Sequence, residues 1–210
     1  MEIIKSIETI RSRIKIRFES GWEVWLNKNC VPPFPLLEGF SVNRESFLKF
    51  ILLHQYPSAL NTAVAMLARR SCSQKEITNR LYFHHYDEEV ISLVICKLNK
   101  EKLLNDEDFT SQWVQSRMKK YGASRIKQEL RLKGIDTETA SAALEELYSE
   151  DEQFENAVAF AKRKIKSIPA EKGRGNIFQT VTGMLIRKGF SWDIAKKAVN
   201  HALSLSDPEQ

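Results

Sequence analysis

The chain is poor in the residues that build covalent or metal-stapled scaffolds. Its three cysteines, Cys30, Cys72 and Cys96, are odd in number and none stands in a Cys-x-x-Cys pair. Neither a disulfide framework nor a zinc site is expected from that pattern. Cys96 falls on the apolar face of a predicted helix and reads as a small core residue. Glycine and proline are scarce, eight and six in 210 residues, a composition expected of a soluble, folded protein. Long apolar runs are missing as well: "FILL" and "AVAMLA" fall far short of the ~20 residues a membrane-spanning helix needs. The opening "MEIIKSIETIRSRIKIRF" has no apolar core followed by a small-residue cleavage site. The expectation is a cytoplasmic protein with no membrane role.

Chemistry-bearing constellations are equally thin. His54, His84, His85 and His201 include no metal-binding helix motif. The pairs Asp106/Asp108 and Asp151/Glu152 sit at predicted helix starts, where a carboxylate compensates the helix dipole without any metal. "KGRGN" has no strand before it and no Gly-Lys-Ser/Thr ending, so it is a poor phosphate-cradling loop. The sequence predicts no enzyme, no cofactor and no metal.

What the chain does have is charge laid out in blocks. It is 42% hydrophobic and 28% charged, with net charge +5 and a pI near 9.0. From Arg117 to Lys133 there are seven cations against Glu129 alone, and from Gly134 to Ala161 eight acids with no Lys or Arg. Lys162 to Lys197 then holds ten cations against Glu171 and Asp193. Segregation of this kind predicts separate basic and acidic faces.

The chain also repeats. Ile77/Leu81, Ile126/Leu130 and Val181/Leu185 are apolar pairs four apart, one helical stripe each. His85, Gly134 and Gly189 follow where a helix C-terminus calls for a left-handed residue. Tyr86, Ile135 and Phe190 come next, then the N-cap types Asp87, Asp136 and Ser191. Glu89, Glu138 and Asp193 place a carboxylate in the following first turn. A further helix precedes each pair: "ALNTAVAMLARR", "NDEDFTSQWVQSRMKK" (burying Phe109 and Trp113) and "SEDEQFENAVAFAKRKIK". The fold class expected is mainly α, with tandem three-helix repeats in an elongated curved array.

The first 58 residues differ. "RIKIRF" and "WEVWL" alternate around the turn "ESG", predicting a two-strand hairpin, while "VPPFP" reads as irregular and "NRESFLKFILLHQY" as a helix. The expected divisions are 1–58, repeats at 59–104, 105–149 and 150–203, and a disordered tail over 204–210.

On these residues the sequence resembles the RecX family of bacterial recombination regulators. The resemblance rests on "AMLARRSCSQKEITNRL", "LLNDEDFTSQWVQSRMKKYGASRIKQELRLKGI" and "LIRKGFSWDIAKKAV", and covers about residues 59–203. The chain departs from the pattern at His84-His85, where Lys-Gly is usual, and in the third repeat, where "PAEKGRGNIF" replaces the Tyr-Gly lead-in. The resemblance implies three-helix repeats that bind the RecA recombinase–DNA filament and modulate, usually inhibit, ATP hydrolysis, strand exchange and coprotease activity. It thereby implies a role in regulating DNA repair and the SOS response.

The basic blocks supply the expected contact residues: Arg69, Arg70, Arg117, Lys119, Lys120, Tyr121, Arg125, Lys127, Arg131, Lys133, Lys162, Arg163, Lys166, Arg174, Arg187 and Lys188. Tyr121 is the best candidate to stack on a base. The expected partner is the RecA filament, with single- or double-stranded DNA as a further partner and the chain as a monomer. The alternative is a helical-repeat nucleic-acid binder acting without recombinase, which steep salt dependence on naked DNA would reveal.

Overall fold

A computed structural model describes residues 1–30, 32–169 and 173–205. The irregular reading at Val31, part of "PAEKGRGNIF", and most of the expected disordered tail lie outside these. The chain divides into two compact units, Met1–Asn105 and Asp106–Gln210.

The first unit opens with four strands, β1 (Glu2–Ile10), β2 (Arg13–Phe18), β3 (Glu23–Asn27) and β4 (Ser41–Val42), of which β2 and β3 are the expected hairpin and β1 and β4 are additions to it. They form an antiparallel sheet in the order β3-β2-β1-β4. The reason β1 escapes a period-two reading lies in its register. Ile4 pairs with Phe18 and Ser6 with Arg17, so Lys5 is an extra residue on β1. Such a bulge flips the in–out parity, and it allows Ile4 and Ile7 to pack on the same core despite their odd spacing. The turn at "ESG" does form, with Gly21 at φ 89° and the Phe18 amide donating to the Trp22 carbonyl.

A second difference concerns α1 (Arg44–Leu67), a single helix where two were expected. Phe47, Ile51, Gln55, Ala59 and Ala63 form an unbroken buried stripe four residues apart, and that stripe carries the helix through Pro57. The carbonyl that Pro57 leaves unserved belongs to Leu53, and both residues are exposed, where water can replace the missing amide. α2 (Gln74–Phe83) starts in a Ser73–Glu76 capping box, and α3 (Glu88–Lys100) starts on Asp87. Buried Gln55 joins the layers: its amide donates to the Trp25 carbonyl at 2.9 Å and its oxygen accepts from the Asp87 amide at 2.9 Å.

Cys96 is exposed, not buried. The buried stripe of α3 is Val90, Ile91, Val94 and Leu98, and Cys96 stands two residues from either neighbour, which turns it off that face. Cys72 is the buried cysteine.

The second unit contains α4 (Asp106–Arg117), α5 (Ala123–Leu132), α6 (Thr137–Leu147), α7 (Glu150–Ile165), α8 (Arg174–Arg187) and α9 (Trp192–Ser204). Each successive trio has its own core, one around Phe109, Ile126, Leu130 and Tyr148, the other around Ala161, Val181, Leu185 and Val199. The repeated device folds as its residue types require. All six residues of the i, i+4 pairs are 0% exposed. His85, Gly134 and Gly189 adopt φ values of 56°, 89° and 88°, and Asp87, Asp136 and Ser191 each accept an amide hydrogen bond at an N-cap. Trp113, expected in the core, is half-buried: it packs against the core beside Phe109 and carries Lys133 Nζ and the Arg117 guanidinium over its ring, at 4.9 and 4.5 Å.

Candidate functional site

Within the second unit, the two motifs that the sequence set 67 residues apart, Tyr121-Gly122 and Lys188-Gly189, meet. The Gly122 amide donates to the Lys188 carbonyl at 3.0 Å and the Ser124 amide to the Gly189 carbonyl at 3.2 Å. The approach is so close that a Cβ on Gly122 would stand 2.3 Å from the Gly189 oxygen, and one on Gly189 would stand 2.4 Å from the Arg125 backbone nitrogen. Glycine at both places is therefore a packing requirement, and at Gly189 the positive φ adds a second.

Three side chains brace this joint. The Tyr148 hydroxyl is buried and donates toward the carbonyls of Met118 and Tyr121, at 2.7 and 3.0 Å. Burial pushes its phenol up to about 12. Asn156 donates to the Met118 carbonyl at 3.2 Å. Gln153 accepts from the Ala123 amide at 3.4 Å while donating to the Tyr148 carbonyl at 3.2 Å. The α4–α5 turn is thus held from α7 as well as from α8.

The joint gathers positive charge on two rings. Lys188 Nζ lies 4.8 Å from the Tyr121 ring centre and 5.0 Å from that of Phe160. Arg125 covers Tyr121 at 4.5 Å, and Arg163 and Lys164 cover Phe160 at 5.7 and 5.9 Å. Lys188 also donates to the Lys120 carbonyl at 3.1 Å. Burial, then Arg125, Arg163, Lys164 and Lys120 in turn, push the Lys188 ammonium below the usual lysine range. Among the described residues no carboxylate pairs with Lys120, Arg163, Lys164 or Lys188. The one acid in the group is Glu129, shared by Arg125 at 3.3 Å and Arg117 at 3.5 Å.

The remaining expected contact residues divide among other places. Lys127 and Arg131 line a separate open hollow of about 490 Å³ with Ser124, Gln128 and the start of α6, and Lys127 donates to the Ser141 hydroxyl at 2.7 Å. Arg117 and Lys133 sit on Trp113. Lys119, Lys162, Lys166, Arg174 and Arg187 are exposed. In the first unit Arg69 is exposed, whereas Arg70 is engaged by both oxygens of Glu76, at 3.0 and 3.1 Å, and so braces the α2 capping box. Tyr121, the expected stacking residue, is half-buried, with the Arg125 guanidinium and the Lys188 ammonium over its ring. Phe160 and Lys164 were not singled out from sequence. Their signal was local: an aromatic followed three and four residues later by cations, one helical turn on.

Among the described residues no three His, Cys, Asp or Glu side chains gather as a metal-ligand set. Cys72 donates to the Arg70 carbonyl at 3.4 Å. Among the described residues no helix is long and apolar enough to cross a membrane.

The fold and site thus define a repeat protein whose distinguishing chemistry is a cation cluster at the joint of two three-helix groups. The family descriptions "RecX, first three-helix domain" and "RecX, second three-helix domain" match residues 59–98 and 105–144. Regulatory protein RecX of Clostridioides difficile is 31% identical over 99% of both chains. That of Corynebacterium efficiens is 34% identical over 67% of this chain and 71% of its own. A solved RecX from Lactobacillus salivarius is 28% identical, with a TM-score of 0.65 over 71% of this chain and 97% of that one. A second solved regulatory protein RecX, at 20% identity, shares the fold with a TM-score of 0.63 over 96% of this chain and all of that one. The chain belongs to the RecX family of regulatory proteins.

Proposed function

We propose that this protein binds the RecA recombinase–DNA filament in the cytoplasm, as a monomer, and restrains its ATPase, strand-exchange and coprotease activities without catalysing a reaction of its own. In this reading the chain works as an amino-terminal element (1–58) and three repeats (59–104, 105–149, 150–203), with α1 serving both the first two parts. Membership of a family of regulators supports it, and the observation that carries it is the cation cluster at the Tyr121–Lys188 joint, in which Glu129 pairs with Arg125 and, among the described residues, no carboxylate pairs with Lys120, Arg163, Lys164 or Lys188. A filament presents continuous phosphate, and cations without internal counter-charges are the groups free to meet it. The test is RecA ATPase on single-stranded DNA with and without this protein. Inhibition is expected at or below equimolar ratio to recombinase, and no change at several-fold excess would sink the reading. Tight binding to naked DNA with no effect on recombinase would favour direct action on nucleic acid instead.

A further inference from the structure

The geometry points to a phosphate-binding site built across the joint between the second and third repeats, with Lys188 at its centre and Arg125, Arg163 and Lys164 around it. It deepens the filament-binding reading by naming the ligand class that this cluster takes: the phosphodiester backbone of nucleic acid, read without regard to base.

Four observations carry it. First, the cationic heads are gathered, each within 5.9 Å of one of two ring centres that share Lys188. Like charges so placed repel, and in water they would spread apart; here the rings and the Lys120 carbonyl hold them. Second, the group lacks its own anion apart from Glu129, which is occupied by Arg125 and Arg117. An incoming phosphate would relieve the repulsion among four cations at once, and its several oxygens can accept from guanidinium and ammonium together. Third, Tyr121 and Phe160 are covered by the cations themselves, which leaves phosphate rather than base as the recognised part. Fourth, the central lysine is also a joint residue: its carbonyl accepts from Gly122 and its ammonium reaches the carbonyl of Lys120. Ligand held there bridges α5, α7 and the end of α8. Occupancy and stability of the joint are therefore linked, and binding must stabilise the fold.

The variant for testing is R163Q/K164Q. These two side chains donate no hydrogen bond across the joint, whereas Lys188 does, so changing Lys188 would confuse ligand loss with loosening. Thermal unfolding of the full chain is followed in pyrophosphate and in chloride at matched ionic strength. Wild type is expected to gain roughly 3–6 °C in pyrophosphate at ten times its Kd, and R163Q/K164Q to lose most of that gain. In parallel, anisotropy of a labelled oligo-dT is titrated across salt concentrations. The slope of log K against log salt should become shallower by about 0.7 for each cation that neutralised a phosphate. No pyrophosphate-specific gain in wild type overturns the proposal, as does a variant with full gain and unchanged slope. If the variant loses RecA inhibition yet keeps its pyrophosphate response and oligonucleotide slope, the cluster faces recombinase protein: the proposal falls and the filament reading stands. If the variant loses the phosphate response but inhibits RecA undiminished, the site is upheld and the placing of the filament contact at this joint is what fails.

Discussion

The helix stops of the first and third repeats have the same backbone and opposite surroundings. His85 and Gly189 both turn into the left-handed region, at φ 56° and 88°. In the first repeat the residue at that turn carries a ring that stacks on Trp25 at 4.2 Å, so the stop is a peg between the α2–α3 turn and the sheet. In the third the same place must be bare, because Arg125 fills the space a Cβ would occupy. One local device therefore serves two kinds of attachment, and the attachment decides which residue the device tolerates. Histidine at the first stop is a departure from the Lys-Gly pattern that its sheet explains.

Substitution at these two stops is the harshest test of that contrast. Gly189→Ala places a methyl 2.4 Å from Arg125 backbone nitrogen and imposes a strained φ besides. A loss on the order of 3 kcal/mol or more is expected, or failure to fold. His85→Gly relaxes φ and removes only the stack on Trp25, so ~1 kcal/mol or less is expected. Urea unfolding of both variants measures the difference, and equal costs would show that the stops are interchangeable.

The bracing of the joint gives the next smaller effect. Tyr148→Phe keeps the ring in the core but removes the hydroxyl that serves the Met118 and Tyr121 carbonyls. Asn156 still serves Met118, so one carbonyl is orphaned rather than two. About 1–2 kcal/mol should be lost, read as a fall of roughly 2–8 °C in Tm. A larger fall would mean that the joint, and not one hydrogen bond, had given way.

The same contrast explains how far the sequence could be read. The stripes, stops and caps of all three repeats are local chemistry, each fixed by residues within about ten positions, and each was legible. β1 was not, because the extra residue Lys5 breaks the alternation that marks a strand. The union of two expected helices into α1 was hidden by Pro57, whose penalty depends on which side of the helix faces water. At the candidate site the right residue types were visible, yet their grouping was not. Arg125 goes to the joint while Lys127 and Arg131, two and six residues on, line another hollow. Helical spacing separates them, and contacts across about 25 to 70 positions decide who meets Lys188.

The finest distinction between the two stops is their response to pH, since only the first carries titratable rings. Burial first, then Arg80, Arg13 and His85, lower the pKa of His84; burial, then Arg13 and Lys15, lower that of His85. Well above the free-histidine value of 6.5 both rings are neutral, folded or unfolded, and contribute no pH dependence. As pH drops below it, the unfolded chain takes up protons that the folded state resists, so stability declines until the folded values are passed. Asp87 acts with the opposite sign: burial raises its carboxyl above 3.8, so acid favours the folded form there. The histidine contribution is separated from that of Asp87 by its sign, and it begins just below pH 6.5. His84→Gln/His85→Asn, with asparagine retained for its tolerance of positive φ, should flatten the stability profile over that interval and leave the carboxylate limb in place. His85 is exposed and His84 only half-buried, so the difference is the smallest of those described, and chemical unfolding at pH 7 and pH 5.5 resolves it. A variant as pH-sensitive as wild type would mean that the loss of stability arises elsewhere, and that the histidine stop is a peg by shape alone.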